Sequence, residues 1–504
     1  MIIGIDLGTT FSAVATLNSE GKAEIITNRD GERTTPSVVM FEDNSVVVGI
    51  QAKENSIVNP YGVCQFVKRQ MGKKSFSFDL SAKEKYSAEE ISAMILKRLK
   101  DDAEAAFGEE IEGAVITVPA YFDDAQRKAT HDAGEIAGLK VLGIINEPTA
   151  AAIAYCHGQA NNDGNVMVYD LGGGTFDITI MKLSNNLGQV DILATTGNKN
   201  LGGFDFDNVI ISKVMEEFSN KYGIDLEDDD TAYQDLRIKA ENAKKALSSR
   251  PKTSVSLVAQ GKAIKVEITR DEFEDLIKGY LNSTKASMEI AMDDAKLKWS
   301  DISKIILVGG STRIPAVQKM IKDVTGIEPS HELNPDESVA IGAAYYADSL
   351  NSKSTGEVAK AEKVIKVTDV NSHSLGIICH NDNDEVFVAF VLNRNTPLPA
   401  SGENLFSTRE DNQTGLRVQV VEGEDEDPEY DTIIGTSVLK LTPRPKGSPI
   451  SISMHYDLNG IIHVRVKDLV DNSDLGEMII QRDANLTEDD IKRKKNLIDD
   501  IDVE

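Results

Sequence analysis

Two stretches of this chain end an apolar run in Asp-Leu-Gly and then turn through Thr-Phe into a second apolar run. The longer copy is Tyr169-Asp170-Leu171-Gly172-Gly173-Gly174-Thr175-Phe176-Asp177. Val166 to Tyr169 leads into it and an alternating run from Phe176 to Leu183 leaves it, the pattern of two strands joined by a glycine-rich turn. Glycines at a strand end let backbone N–H groups approach a phosphate closely, because no Cβ stands in the way. Asp170 and Asp177 bracket the turn, placed for a hydrated Mg²⁺ or an attacking water. The other copy opens the chain, from Ile2 through Asp6-Leu7-Gly8-Thr9-Thr10 to Phe11. Two such hairpins predict two lobes of one ancestral unit facing a shared nucleotide.

At 504 residues the chain exceeds one core, and its length gives a prior of about three domains. No window approaches the roughly 18 uninterrupted apolar residues of a membrane helix, so no membrane association is expected. A strand begins within two residues of Met1, with no basic segment before it, which argues against an export signal. Cys64, Cys156 and Cys379 lie far apart without metal-type spacing. They read as buried thiols in a reducing compartment, and the expected location is cytoplasmic. The net charge of −28 argues against a nucleic-acid partner, because phosphate backbones demand a basic face. The acidic runs at 227–230, 424–427 and 499–502 read as solvated segments.

Along the chain, strand-like and helix-like runs alternate to about residue 350, an α/β pattern. Ser87 to Phe107 reads as a helix with a stripe of Ile91, Ile95 and Leu99, and Ser87 with Glu90 offers a capping box. Ala114 to Val118 is a buried strand stopped by Pro119. A helix runs from about Asp124 to Ala137, with Gly138 as its C′ residue. Ile305 to Val308 is a third apolar strand, ending in Gly309-Gly310-Ser311-Thr312-Arg313. Residues 351–366 read as a connection. From about Leu375 to Arg482 no helical period survives and short strands recur, the pattern of an all-β sandwich. A last helix begins near Leu486.

The absence of Gly-x-x-x-x-Gly-Lys-Ser/Thr excludes a P-loop. Nucleotide binding rests on the two Asp-Leu-Gly turns and on Gly309-Gly310-Ser311. Any one of these is an ordinary tight turn, but three glycine turns ending three apolar strands are harder to dismiss. On the helix around Thr231 to Ser249, Leu236, Ala240, Ala243 and Leu247 share one face. Glu241, Lys244, Lys245 and Ser248 share the opposite one. That second face is either solvated or, with a nucleotide nearby, able to bond a ribose through Glu241 and stack a base on the lysine stems. Lys68 reads equally as a surface cation. Glu147, after an apolar pair and before Pro148, is oddly placed for a solubility charge. The seven histidines show no ligand spacing along the chain.

Taken together, the motifs resemble those of the seventy-kilodalton heat-shock chaperones, the DnaK type. The matching stretches are Gly4 to Thr10, Ile116 to Phe122, Ile145 to Ala152, Asp170 to Asp177, Leu307 to Pro315, and Asn334-Pro335-Asp336-Glu337. Phe406-Ser407-Thr408 and Glu410 to Gln413 match in the β module. The likeness covers nearly the whole chain in order. With only a stub of a helical lid, the chain looks most like the short HscC-type branch.

The resemblance implies an α/β actin-like two-lobed ATPase domain (1–350), a linker (351–374), a β-sandwich peptide-binding domain (375–485) and a truncated lid (486–504). It implies ATP and ADP as ligands, with Mg²⁺ and K⁺, and unfolded or extended polypeptide as partner. By motif position, Gly8, Thr9, Thr10, Phe11, Gly173, Gly174 and Thr175 hold the phosphates. Lys68 and Glu147 orient the attacking water and the γ-phosphate. Asp6, Asp170 and Asp177 place Mg²⁺ through its waters. Glu241, Lys244, Lys245 and Ser248 clasp the adenosine with Gly309, Gly310, Ser311, Arg313, Ile314 and Asp336. Ile377, Cys379, Phe406, Leu416 and Val418 line the peptide groove, although Leu416 and Val418 read equally as sandwich core. Arg409 stands where many relatives have a small residue arching over the peptide.

Four departures from the family pattern bear on coupling. The connector reads Ile365-Lys366-Val367-Thr368-Asp369, where relatives have a leucine run, and Lys366 is expected to weaken its docking. Gly143 replaces an arginine that engages J-domain co-chaperones. The segment between Gly72 and Ser87 lacks a strand-rich insertion, and the loop at Gln260-Gly261 is short where an exchange factor grips. The lid stops within its first turns. The alternatives are a weakly coupled or co-chaperone-independent peptide holder, a small-molecule kinase on the same ATPase scaffold, and a filament-forming actin relative. The β module speaks against the last two.

Overall fold

The computed structural model describes the chain except residues 43–44, 83, 159–162, 185–187, 228, 357–358, 362–365, 382, 458–460 and 481–485. Ile365 and Asp228 lie outside the described residues.

The first Asp-Leu-Gly hairpin is the antiparallel pair Ile2–Asp6 and Phe11–Leu17. Its leading strand also pairs in parallel with Gly113–Val118, which pairs in parallel with Val141–Asn146. The second hairpin repeats the plan, since Gly164–Leu171 pairs antiparallel with Phe176–Ser184 and parallel with Ile302–Val308. In both sheets the trailing strand takes a further antiparallel neighbour, Ala23–Ile25 in one and Gln189–Asn198 in the other. The two sheets are duplicated in strand order, and each anchors its own lobe. Their central strands are buried on both faces, which is why they read as unbroken apolar runs.

Helices cover these sheets and fix the lobes. The helix Ala88–Phe107 starts at the Ser87–Glu90 capping box, in which Glu90 Oε2 accepts the Ser87 amide at 2.8 Å. The helix Asp124–Ile136 ends before Gly138, whose φ of +76° is the left-handed C′ conformation. The helices Glu147–Gly158 and Ser338–Thr355 pack against each other between the two sheets. The second lobe adds a hairpin, Lys252–Ala259 with Lys262–Thr269, which turns at Gln260 and Gly261. Both turn residues have positive φ, the two-residue turn that matches strand twist.

The C-terminal module is two four-stranded antiparallel sheets. One runs in the order Val386–Leu392, Ser374–His380, Gln413–Gly423, Thr432–Arg444. The other runs Ala400–Ser407, Pro449–Tyr456, Ile462–Asp468, Ser473–Ile480. Leu375, Val420, Ile452 and Val464 meet between them as a separate core.

Several expectations are corrected. The helix Ser338–Thr355 runs past residue 350. The connector docks despite Lys366: Lys366–Thr368 is a parallel fifth strand on Gln189–Asn198, and the Lys366 amide donates to Gly188 O at 2.7 Å. A parallel ladder is made by backbone groups, so the exposed Lys366 side chain does not oppose it. The segment between Gly72 and Ser87, expected to lack a strand-rich insertion, holds only the two-residue strands Phe78–Asp79 and Lys85–Tyr86 among its described residues. The acidic runs are not merely solvated. Asp229 caps the helix Asp230–Ser249, and Glu424 accepts the Ser374 amide at 2.8 Å.

The lid stub is the largest correction. Its helix, Glu488–Asp499, packs on Asp124–Ile136 and Ala88–Phe107 of the first lobe, not on the sandwich. Lys494 pairs with the buried Glu90 at 2.7 Å, Ile498 is fully buried, and Lys97 donates to Ile498 O and Ile501 O. Beyond it, Asp502–Val503 adds a parallel strand to the edge of Ser45–Val48. An amphipathic helix with one deeply buried residue seeks the nearest apolar surface, and here the first lobe supplies it.

The sandwich sits astride both lobes. Toward the first, Tyr456 Oη bonds Asp124, Ser372 Oγ donates to Ala120 O at 3.0 Å, and His373 packs edge-on against Tyr121. Toward the second, Asn395 bonds Asp294 and the Thr195 amide, and Arg394 pairs with Asp294 at 2.9 Å.

Candidate functional site

The two hairpin turns meet face to face at the floor of a cleft of about 450 Å³ between the lobes. A Cβ on Gly173 would lie 2.3 Å from Thr10 Oγ1, and one on Gly174 would lie 2.4 Å from Thr9 Cγ2. Only glycine permits this approach, which leaves backbone N–H groups facing the cleft. The third turn closes on the same spot. Gly309 has a φ of +81°, and Ser311 Oγ donates to Gly172 O at 3.0 Å.

Behind the turns lies a buried charged cluster. Lys68, in the short turn Val67–Gln70, pairs with Glu147, the first residue of its helix; both are buried. Around them stand Asp6, Asp170 and Asp177. Burial, reinforced by the Glu147 charge, pushes Asp6 and Asp177 each up to about 7. The same two causes hold Asp170 well above the ordinary carboxylate range. Asp170 Oδ2 and Asp177 Oδ2 are buried with no hydrogen-bond partner. Four carboxylates facing one lysine, with two orphaned oxygens, fit a cationic ligand held at this end.

The other end of the cleft is built by the helix Asp230–Ser249. Glu241 is pushed up by burial but pulled down to about 2 by Lys53 and Lys245, at 2.5 and 2.6 Å. Lys53 comes from the first lobe, so this pair bridges the cleft mouth. Both lysines also sit 4.8 Å from the Phe11 ring. Lys244 bonds Asp207 and Gly203 O, each at 2.9 Å, while burial raises Asp207 to about 6 against that pull. Arg313 pairs with Asp336 at 2.7 Å at the rim.

The structure brings Asp6, Gly8, Thr9, Thr10, Phe11, Lys68, Glu147, Asp170, Gly173 and Thr175 to one cleft with Glu241, Lys244, Lys245 and Ser248. Gly309, Gly310, Ser311, Arg313, Ile314 and Asp336 line it too. Gly174 and Asp177 lie one layer back. Gly174 O accepts Arg69 Nε at 2.9 Å, and Asp177 Oδ1 accepts the Tyr121 amide at 3.1 Å. The lining residues that escaped the sequence reading include Lys53, Phe66, Asp207 and Arg237. Arg237 lies one turn before Glu241 on the same helix face, so extending the face back by four would have found it. Lys53 carries no local signal.

The residues expected to bind peptide lie in the sandwich, away from the cleft. Ile377 and Val418 are buried in its core, and Cys379, Phe406 and Leu416 are half-buried against that core. Arg409 is exposed and pairs with Asp384 in the turn after Ser374–His380. Cys64 and Cys156 are buried and lie outside any disulfide.

Residues 2–502 match the family described as Hsp70 protein. The chaperone protein DnaK of Thermotoga petrophila is 44% identical over 502 residues, covering 98% of this chain and 82% of the relative. The DnaK of Thermotoga maritima matches equally. That of Thermosipho africanus is 42% identical over 501 residues, with the same coverage.

Proposed function

The chain belongs to the Hsp70 family, and from that premise we propose how its cleft and its sandwich share the work. It is an ATP-dependent molecular chaperone and an ATPase. The kinase alternative has no support, since these relatives of 42–44% identity are chaperones along almost the whole chain. Domain roles follow the expected order, with the nucleotide part reaching residue 355 and the sandwich starting at Ser374.

In our reading, ATP lies with its phosphates over the Gly8–Phe11 and Gly173–Thr175 turns. Its adenosine lies between Glu241, Lys244, Lys245 and Ser248 on one side and Gly309, Gly310, Ser311, Arg313, Ile314 and Asp336 on the other. The observation that carries this reading is the buried Lys68–Glu147 pair among carboxylates with orphaned oxygens. Glu147 and the neighbouring aspartates hold a water in line with the γ-phosphorus, and Lys68 offsets the charge on its oxygens. Water bonds to phosphorus, the bond to the bridging oxygen breaks, and ADP and phosphate result. Positioning and charge stabilisation suffice, with no covalent intermediate. Asp6, Asp170 and Asp177 are the residues that would hold Mg²⁺ through its waters; when bound, it neutralises phosphate charge. K⁺ is assigned to the same carboxylate-rich end.

The partner is unfolded polypeptide. Cys379, Phe406 and Leu416 offer the apolar rim for a short extended segment, supported from beneath by Ile377 and Val418. Gly143 gives a J-domain co-chaperone no arginine to engage. A cytoplasmic setting suits three cysteines that form no disulfide, and no helix among the described residues is long and apolar enough to cross a membrane. The test is steady-state ATP hydrolysis with and without an unfolded apolar peptide. Basal turnover that rises with peptide is expected; no turnover, or turnover indifferent to peptide at any concentration, overturns the reading.

A further inference from the structure

The outward face of the second sandwich sheet carries two histidines side by side. His455, on Pro449–Tyr456, and His463, on Ile462–Asp468, are direct cross-strand partners in the antiparallel register. Their chain neighbours Met454, Tyr456, Ile462 and Val464 are buried, so both imidazoles stand on the opposite, solvent side. The ring centroids are 6.1 Å apart. His455 Nδ1 bonds Ser401 Oγ at 2.8 Å, and His463 Nδ1 lies 3.3 Å from Glu477 Oε1. With Nδ1 committed on each ring, Nε2 is the atom left open to a ligand. This is the outer-shell arrangement that orients metal-binding histidines, in which one ring nitrogen is fixed by a hydroxyl or carboxylate.

We propose that His455 and His463 form a surface site for a borderline divalent cation of the Zn²⁺ or Cu²⁺ type, with Glu477 held in its outer shell by His463 Nδ1 and by Arg465 at 3.5 Å. Paired imidazole donors select such ions over Mg²⁺ and Ca²⁺, which prefer all-oxygen sites. An ion about 2.1 Å from each Nε2 sits roughly midway between the two rings. It ties two adjacent strands on their outer face. Tyr456, the residue after His455, faces inward and bonds Asp124 of the first lobe. The ion therefore stiffens the hairpin through which the sandwich touches the ATPase part. A second cluster, His131 with Asp132 and Glu135, offers a single imidazole, and the Lys128 ammonium already pairs with its buried carboxylate Asp132.

The test titrates the full chain with Zn²⁺ by calorimetry and with Cu²⁺ by electron paramagnetic resonance. One Zn²⁺ per chain is expected, weakened roughly tenfold or more by either His455→Ala or His463→Ala, and unchanged by His131→Ala. The Cu²⁺ spectrum of the unaltered chain should show two imidazole nitrogens, a readout that needs no variant. Affinity unchanged in both variants, fewer than two imidazole nitrogens, or loss in His131→Ala overturns the proposal.

Discussion

Asp369 in the connector accepts both hydrogen bonds of the Asn146 amide group, at 3.0 and 3.2 Å. The next residue in the chain, Glu147, is the one that pairs with Lys68. Arg127 completes the arrangement, donating to Asn146 Oδ1 at 2.6 Å. A connector strand at the sheet edge and an ion pair at the phosphate end are therefore separated by one peptide bond. Asp369→Ala should leave basal hydrolysis within about twofold and cut its stimulation by peptide several-fold, a coupling loss on the order of 1 kcal/mol. Single-turnover hydrolysis with and without peptide checks it. Unchanged stimulation would disconnect Asp369 from the chemistry.

Lys68→Ala removes the one lysine facing Glu147, Asp6, Asp170 and Asp177. Losing a preorganised charge aimed at the transferring phosphoryl group should slow single-turnover hydrolysis by roughly 10²–10³-fold, while ADP still binds. Rapid-quench kinetics measures the first and calorimetry the second. Near-normal hydrolysis would falsify the assigned role.

Lys53→Ala opens the mouth of the cleft by freeing Glu241 from its partner across the lobes. The pair is largely shielded, so its loss should speed nucleotide dissociation about tenfold, equivalent to roughly 1.4 kcal/mol. Stopped-flow release of a fluorescent nucleotide reads this directly.

His373 lies between sandwich and lobe with Nε2 unpartnered among the described residues. Burial holds its pKa below the ordinary 6.5; Glu422 and Asp123 pull it up, while Lys199 pushes it down. A histidine whose folded pKa is depressed favours the neutral ring, so its contribution is complete above about 6.5 and is lost as pH falls through the folded value. The docked arrangement should loosen on acidification. The protection factors of the Val367 and Thr368 amides, corrected for the slower intrinsic exchange in acid, should fall from pH 7.5 to 5.5, and His373→Leu should abolish that dependence.

Ile498→Asp places a charge where a fully buried side chain packed on the first lobe. The cost, roughly 3–5 kcal/mol, should detach the tail helix without unfolding the lobe. Amides of Val46 and Val48, covered by Asp502–Val503 and Glu504, should lose exchange protection. Protection retained in that variant would place the strand pairing independent of the helix.

Much of this was legible because it is local. The paired hairpins, the Ser87–Glu90 cap and the Glu241–Ser248 face are short-range patterns whose physics is complete within eight or ten residues. Lys53 was invisible because its role is created by a partner 188 residues away. Lys366 misled for a related reason: side-chain polarity was weighed at a position where the backbone makes the attachment. His455 and His463 show no ligand spacing along the chain because a hairpin register brings them together. The tail was misplaced because an amphipathic helix announces that it will be covered, not by what.

The strand at Asp502–Val503 changes what the connector has to do. The chain leaves the first lobe, passes through the second, crosses the sandwich and comes back to pair with Ser45–Val48 near where it started. The sandwich is moored at two ends. When the connector lets go, the tail keeps the sandwich at high local concentration beside the lobes, so redocking is an intramolecular event set by tether length. Release of the connector strand alone then leaves the sandwich moored to the first lobe through the tail.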